Sequence, residues 1–450
     1  MGFDSLYSSG LDGSGVTIAV IDTGINCYHP DLKHGTGSTS SFISVNQSFI
    51  PGHDAIDQDG HGTFIAGMLI GNGDSSSGST IGMVPDSRLW DLRVLDENGE
   101  GDSSWAENAL DWIIARPQKP SIISMSFGST TIMPSIESKI KQLWNDGVFV
   151  VVAAGNEGSN SYTIDSPGNV LDVMTVGACT TDGFLLAFSS QGPTTSTYYY
   201  KPDIVAFGES LTSLALSSGY TQGSGTSFSV PFITAGVALL EEATGGSRSP
   251  DEIKAAIIDT CTKLGGYNYY MEGAGLPNFK NALALLEDPS WNGTAVLPKT
   301  IAMPLAGNPS SNKSIEQYMI KPTVILSKNT GTISLSVEGD SSGATSASLE
   351  EYDGAGDRQF IVKIYVSTLS PSFKGGNIFV HVMINGVVAV TITVQISSRA
   401  PTSIMPIIIF GIIIIAFAGL ILFFAVAYRK GERAIAMTQC EIDGTCIKGT

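Results

Sequence analysis

The segment Val-Thr-Ile-Ala-Val-Ile-Asp-Thr-Gly, residues 16–24, decides the fold of this 450-residue chain. Its first six residues are apolar or β-branched without polar alternation, which is typical of a parallel strand buried on both faces. Asp22 follows this run directly. Because open α/β sheets carry their sites at the carboxyl ends of strands, we expect a mostly parallel α/β sheet with Asp22 as a functional carboxylate at its edge.

A second apolar run predicts another buried strand of this sheet. It is Val-Phe-Val-Val-Val-Ala-Ala at residues 148–154, and Gly155 and Asn156 follow it. A side-chain amide at a strand end can donate a hydrogen bond to an oxygen that becomes negatively charged during a reaction. An ordinary asparagine in the turn after a strand is the alternative interpretation.

Two further runs predict buried helices that begin with chemically active residues. His61 stands in the motif Asp-Gly-His-Gly-Thr, and Ser227 stands in Gly-Thr-Ser-Phe-Ser-Val-Pro. Pro231 suits the start of a helix, where its missing N–H costs little. A serine hydroxyl becomes a good nucleophile when an imidazole accepts its proton and a carboxylate orients that imidazole. Asp22, His61 and Ser227 supply one candidate for each role, although each motif alone is more typical of a turn.

In the order Asp, His, Ser, these motifs resemble those of the subtilisin-like (subtilase) serine proteases, from about Gly15 to Leu286. The resemblance implies a catalytic domain over residues 1–287, with helices on both faces of the mostly parallel sheet. It also implies a serine endopeptidase that hydrolyses peptide bonds through an acyl-enzyme and needs no cofactor for catalysis. In that family Asn156 would bind the oxyanion together with the Ser227 N–H.

The same resemblance implies a cleft for an extended peptide, with the residue before the cleaved bond (P1) in a pocket called S1. The residues assigned to the cleft and to S1 are Ser126, Phe127, Gly128, Ala153, Ala154, Gly155 and Asp165, with Glu100 and Asp102 on the facing wall. Asp165 stands where the family commonly has glycine. Together with Glu157, a carboxylate at the pocket floor would favour Arg or Lys at P1. A solvated loop aspartate is the alternative.

A structural calcium site is a further expectation from the resemblance. Asp31 stands where the family often has a calcium ligand. The loop from Asn72 to Asp74 could supply more of the hard oxygen ligands that Ca²⁺ prefers. The alternative is that Asp31 merely caps a turn.

The rest of the chain has a different character. Short alternating runs separated by turn residues predict a small β-sandwich-like accessory domain over residues 288–400, which acts as a spacer or a binding module. Residues 404–428 carry no charge and exceed the ~20 residues that cross a bilayer. Basic residues follow at once, so the positive-inside rule predicts a transmembrane helix within 401–428 and a cytoplasmic tail over 429–450.

These features together predict a single-pass protein of the cell membrane with its catalytic domain outside. Export normally needs a signal peptide, which the first residues do not resemble. We therefore expect either that a leader and a prosequence lie upstream of Met1, which we favour, or that export depends on the C-terminal helix. The net charge of −18 argues against a nucleic-acid partner. The resemblance implies that peptides or proteins are the substrates. Two alternatives are a catalytically silent surface-binding protein on the same scaffold and an esterase. The peptide-pairing segment at residues 126–128 argues against the esterase.

Overall fold

The computed structural model describes most of the first 304 residues and separate stretches beyond them. The described residues are 1–33, 42–304, 318–320, 323–326, 333–339, 345–350, 359–366, 376–384, 386–397 and 446–449. Their helices are α1 (Phe3–Ser8), α2 (His61–Ile70), α3 (Ser103–Ile114), α4 (Pro134–Asn145), α5 (Thr226–Thr244), α6 (Pro250–Thr260), α7 (Tyr269–Glu272) and α8 (Phe279–Glu287), with 3₁₀ turns at Pro30–Leu32 and Asp74–Ser76.

The strands fall into three groups along the chain. The first group is β1 (Thr17–Asp22), β2 (Ile43–Ser48), β3 (Arg88–Arg93), β4 (Glu100–Asp102), β5 (Ile122–Met125), β6 (Phe127–Gly128), β7 (Phe149–Ala153), β8 (Met174–Cys179), β9 (Ile204–Phe207), β10 (Leu211–Leu214) and β11 (Tyr220–Gly223). The second is β12 (Thr294–Leu297), β13 (Thr300–Pro304), β14 (Tyr318–Ile320), β15 (Thr323–Leu326), β16 (Ile333–Glu338), β17 (Thr345–Glu350), β18 (Gln359–Val366), β19 (Gly376–Ile384) and β20 (Val387–Ser397). The third is β21 (Cys446–Gly449) alone.

A parallel sheet forms the centre of the molecule. Its strand order is β2-β3-β1-β5-β7-β8-β9, and Ile18 of β1 pairs with both Leu89 and Ile122. Strands β5, β7 and β8 are buried at every position. Because successive side chains of a strand point to opposite faces, this burial means that both faces of the sheet are covered. The predicted mostly parallel α/β fold is confirmed.

Helix α2 packs directly on the loop that follows β1. A Cβ atom on Gly62 would lie 2.1 Å from the carbonyl oxygen of Gly24, so no larger residue fits at this contact. Gly24 itself has a φ of +99°, which favours glycine. This close approach brings His61, at the start of α2, to Asp22, at the end of β1.

The second group of strands forms two sheets that share a core. One sheet has the order β12-β15-β18-β14, with β17 also on β18, and the other has the order β13-β20-β19-β16. Val362 and Ile364 of the first sheet lie in one apolar cluster with Val380 and Ile392 of the second. The pairing is mostly antiparallel, but β13 pairs in parallel with β20. The boundaries assigned to the accessory domain stay a prediction.

No helix in the described part of the chain is long and apolar enough to span a bilayer. The predicted transmembrane segment, residues 404–428, lies outside the described residues, as does the tail from 429 to 445.

Candidate active site

Asp22 and His61 form a tightly held pair. Asp22 is the last residue of β1 and is 1% exposed, and His61 is the first residue of α2. His61 Nδ1 lies 2.7 Å from Asp22 Oδ1, and the Thr23 N–H donates to the same oxygen over 2.7 Å. Burial lowers the pKa of His61, but the charge and hydrogen bond of Asp22, with the charges of neighbouring aspartates, raise it more. The net pKa therefore lies above its ordinary value of 6.5.

A buried aspartate that sequence reasoning missed connects the two elements of this pair. Asp57 Oδ1 accepts the Thr23 hydroxyl over 2.9 Å, and Asp57 Oδ2 accepts the Thr63 N–H and hydroxyl over 2.9 and 2.6 Å. Thr23 follows Asp22 in the chain, and Thr63 lies two residues after His61. Asp57 therefore joins the residue after β1 to the first turn of α2. Because 34 residues separate it from Thr23, no local pattern announces it.

Ser227 is the second residue of α5. Pro231 is the sixth residue of this helix, so it lies inside the helix and not at its start as predicted. Proline lacks the N–H that would bond to the carbonyl of Ser227, four residues earlier. Ser126 Oγ donates to that carbonyl instead, over 2.9 Å. This bond fixes the start of α5 to the segment that leads into β6.

Nε2 of His61 and Oγ of Ser227 are both buried polar atoms without a partner among the described residues. The ring of Phe228, the residue after Ser227, lies 5.4 Å from the His61 ring and 4.5 Å from the Phe64 ring, measured between centroids. Catalytic hydrogen bonds are often long in the free enzyme and shorten when substrate binds. The arrangement leaves an imidazole nitrogen and a hydroxyl free for chemistry.

Asn156 is oriented by the residue that precedes Ser227. Its Oδ1 accepts the backbone N–H of Thr226 over 3.0 Å and the Thr226 hydroxyl over 3.1 Å. These two bonds engage the amide oxygen and so fix the orientation of the Asn156 side chain. The predicted strand end is confirmed, since β7 ends at Ala153, three residues before Asn156.

The predicted cleft residues lie at the ends of β5, β6 and β7. Ser126 separates β5 from β6, whose residues are Phe127 and Gly128, and Ala153 and Ala154 are buried at the end of β7. Strand β4 contains Glu100 and Asp102, the residues predicted for the facing wall. Strand β21 lies between β4 and β6 and pairs antiparallel with both. An edge that pairs with a strand of this chain can also pair with an extended peptide.

A model of the subtilase family matches residues 13–275, more than half of the chain. The chain belongs to the subtilase family. It is 35% identical over 306 residues to serine protease AprX of Bacillus subtilis, covering 61% of this chain and 67% of that protein. It is 32% identical over 282 residues to subtilisin of Bacillus pumilus, covering 62% of this chain and 94% of that protein.

The solved structure of the prenylagaramide maturation protease PagA has a TM-score of 0.52 to this subtilase at 22% identity, covering 63% of this chain and 98% of that one. This likeness shows the fold alone. The family assignment makes the chain a serine endopeptidase that acts on peptides or proteins. Subtilases need no cofactor for catalysis.

Asp165 of this subtilase lies between the end of β6 and the residues that follow β7. Its N–H donates to the carbonyl of Ala154 over 3.0 Å. A Cβ atom on Gly128 would lie 2.8 Å from Asp165 Cβ, and one on Gly155 would lie 2.4 Å from Asp165 Oδ2. The carboxyl group thus fills the space that these two glycines leave between the end of β6 and the end of β7.

The same carboxyl group is buried without full compensation. Asp165 is 3% exposed, and its Oδ1 has no hydrogen-bond partner in the described part of the chain. Burial raises the pKa of Asp165 to about 7, and the negative charge of Glu157 adds to this effect. Asp165 is therefore not a solvated loop carboxylate.

Asp31 is buried and held by protein donors. The Ser75 N–H donates to its Oδ1 over 2.7 Å, and the Tyr220 hydroxyl donates to its Oδ2. Burial raises the pKa of Asp31, but these hydrogen bonds outweigh it, so the net pKa lies below the ordinary 3.8. The described residues contain no group of three or more His, Cys, Asp or Glu side chains placed to hold a metal ion. Protein donors therefore occupy both carboxylate oxygens of Asp31, which favours the turn-holding role over that of a calcium ligand.

Proposed function

We propose that this subtilase is a membrane-anchored, outward-facing endopeptidase whose catalytic triad is Asp22, His61 and Ser227. The observation that carries the proposal is the state of His61. Its Nδ1 is fixed to Asp22 at 2.7 Å, while its Nε2 is buried and has no partner among the described residues. An imidazole held at one nitrogen and free at the other is arranged to accept a proton from a nucleophile.

Each residue then has a defined role in the reaction. Ser227 Oγ attacks the peptide carbonyl carbon while His61 Nε2 accepts its proton, and Asp22 stabilises the resulting imidazolium. Asn156 Nδ2 and the Ser227 N–H donate to the oxyanion of the tetrahedral intermediate. Collapse of this intermediate expels the amine, which takes the proton from His61. Water then hydrolyses the acyl-enzyme by the same route and regenerates Ser227.

The substrate preference follows from the S1 pocket. A buried carboxyl group with an unpaired oxygen is costly, and a cationic side chain is the compensation that a substrate can bring. Arginine fits a carboxylate with two parallel hydrogen bonds, which lysine cannot do. We expect Arg at P1 to be preferred, followed by Lys, over large apolar residues, with Asp165 as the selecting residue and Glu157 reinforcing it.

The anchored topology rests on the sequence of residues 404–428 and on the basic residues that follow them. An epitope inserted after Gly431 should be protected from added protease in intact cells, while an epitope in the loop at Gly52 should be accessible. Access to both epitopes would contradict the proposed topology. Structural calcium remains part of the proposal, and a chelator tests it through the unfolding temperature.

A fluorophosphonate probe tests the catalytic assignment, since it labels only an activated serine. Wild-type protein should be labelled, and Ser227→Ala should lose both labelling and peptide hydrolysis while its unfolding temperature stays near that of wild type. Ser229→Ala is the matched control, because Ser229 is buried on the same helix and its hydroxyl bonds to the Ala206 carbonyl. It should still be labelled. Folded wild-type protein that is never labelled would instead support the catalytically silent binding protein.

A further inference from the structure

The cleft between β4 and β6 holds a strand of the chain itself. Strand β21 forms the middle of a three-stranded antiparallel sheet with these two strands. On one side Cys446, Ile447 and Lys448 are opposite Asp102, Gly101 and Glu100, and on the other side Lys448 and Gly449 are opposite Gly128 and Phe127. The cleft walls are thus joined by a segment that lies more than 300 residues further along the chain.

Strand β21 runs through the cleft in the same N-to-C direction as the acyl part of a bound peptide substrate. Strand β6 begins next to Ser126, whose hydroxyl bonds to the Ser227 carbonyl, and runs away from it. Because β21 is antiparallel to β6, it runs from Cys446 towards the Ser126 end of the cleft, and so towards the nucleophile. The residues of a substrate that precede the cleaved bond must approach the nucleophile in this same direction.

The contacts explain why this segment can compete with substrates. Pairing through backbone N–H and C=O groups does not depend on the side chains of the inserted strand. In the described chain, β4 and β6 pair with no strand other than β21. Without β21, the two strand edges that face each other across the cleft could therefore pair with any other extended segment.

We infer that residues 446–449 are an intramolecular competitor of substrate, bound along the acyl side of the cleft of the same molecule. The inference rests on the proposed endopeptidase function. A tethered segment acts at an effective concentration on the order of mM. If its affinity as a free peptide is about 0.1 mM, it fills the cleft in about nine molecules of ten and raises KM about tenfold, with kcat unchanged.

One molecule cannot have β21 paired in its cleft and the anchored topology at the same time. A tail on the cytoplasmic side of a bilayer cannot reach a catalytic domain on the outer side. Membrane insertion of residues 404–428 therefore withdraws the strand and opens the cleft. Before insertion, the chain holds its own protease in a competed state.

Cross-linking tests the placement of the strand. Cys446 lies directly opposite Asp102, and opposed residues of antiparallel strands are close enough for a disulfide. The full chain with Asp102→Cys, in detergent and under mild oxidation, should form an intramolecular 102–446 disulfide that peptide mapping identifies. Adding Cys446→Ser should abolish it. Absence of the 102–446 link, or a link formed only between two molecules, would overturn the inference.

Kinetics on the full chain in detergent test the competition. Successive backbone N–H groups of a strand point to opposite neighbours, so Ile447→Pro with Lys448→Pro removes one donor towards β4 and one towards β6. This variant should lower KM for a fluorogenic peptide about tenfold and leave kcat unchanged. Ile447→Ala with Lys448→Ala retains both N–H groups and should keep KM close to that of wild type.

The outcomes separate this inference from the proposed function. If the proline variant is labelled by the fluorophosphonate probe but its KM equals that of wild type, the competition is wrong and the endopeptidase assignment stands. If no variant is labelled, the assignment itself fails. An equal fall of KM in the alanine control would show that side chains, and not strand pairing, hold the segment, which would also overturn the inference.

Discussion

Two buried aspartates of the site differ in what surrounds them. Asp22 is 1% exposed, and its Oδ1 accepts hydrogen bonds from the His61 ring and the Thr23 N–H, while its Oδ2 has no partner among the described residues. Asp165 is 3% exposed, yet the described residues provide no partner for its Oδ1, and the nearby Glu157 is negative. A buried charge needs compensation. The protein supplies a cation-forming partner for Asp22 and leaves that of Asp165 to a proton or to the substrate.

The largest effect should come from replacing Asp22, the aspartate whose cation-forming partner, His61, belongs to the protein. Asp22→Asn removes the charge that stabilises the imidazolium, and the side-chain amide no longer selects the correct tautomer of His61. By the figure known for the serine-protease triad, kcat should fall by about 10⁴-fold. Steady-state kinetics measure this, with circular dichroism as the check on folding. Near-normal kcat in folded Asp22→Asn protein would show that Asp22 does not serve His61.

Loss of the oxyanion donor should be smaller. Asn156→Ala removes a donor that acts chiefly in the transition state, so kcat should fall by about 10²–10³-fold with KM little changed; this range is the one known for subtilisin, a relative of this chain. Thr226→Val is a useful companion, because it removes one of the two bonds that orient Asn156 and should give a partial loss. A change confined to KM would make Asn156 a substrate contact.

Removing the charge of Asp165 should change the selectivity for the P1 residue and leave the chemical step intact. Asp165→Asn keeps the shape of the side chain but removes its charge, so the preference for Arg over Leu at P1 should fall by about 10- to 100-fold, as expected for a buried charge-assisted pair. Asp165→Gly should shift the preference towards large apolar residues. Glu157→Gln should act in the same direction but less. A fluorogenic peptide library measures all three variants, and an Arg preference untouched by Asp165→Asn would exclude Asp165 as the selector.

The smallest effect concerns Asp31, a third buried aspartate, whose carboxylate accepts hydrogen bonds from donors of the protein itself. Tyr220→Phe removes a hydrogen bond to Asp31 and should lower the free energy of unfolding by about 1 kcal/mol. The pKa of Asp31 is held below its ordinary 3.8, so its contribution is present at neutral pH and is lost as the pH falls through the folded-state value. The difference between Tyr220→Phe and wild type should shrink in acid.

A chelator provides the matching control for Asp31. Because protein donors occupy its carboxylate, EDTA should leave the difference in unfolding temperature between wild type and Tyr220→Phe unchanged. A chelator that lowers the stability of wild type to that of Tyr220→Phe would restore Asp31 as a calcium ligand.

The elements that carry the site could be predicted because their signals are local. The apolar run before Asp22, the run before Asn156 and the small-residue run after His61 each encode one strand or helix, and all three are present. The position of Pro231 could not be predicted in this way. Its place inside α5 is tolerated because Ser126, about 100 residues earlier, supplies a donor for the freed carbonyl.

Contacts between distant segments account for the rest. Asp57 acts through Thr23 and Thr63, and neither periodicity nor a motif marks such a bridge. The burial of Asp165 depends on glycines from two different strand ends, so the sequence left its solvated and buried states open. The pairing of β21 with β4 and β6 depends on open backbone edges, which a sequence of side chains does not display.

The central claim is that the protein provides the cationic partner of Asp22, whereas the substrate provides that of Asp165. The pH dependence of selectivity for the P1 residue tests this claim most directly. The measurement is kcat/KM for two peptides that differ only in Arg or Leu at P1, between about pH 6 and pH 8. Titration of His61 affects both peptides equally, so it cancels in their ratio. As the carboxyl group of Asp165 ionises, with a pKa of about 7, the Arg/Leu ratio should rise with pH in wild type and stay flat in Asp165→Asn. A flat ratio in wild type, or the same rise in the variant, would contradict the claim.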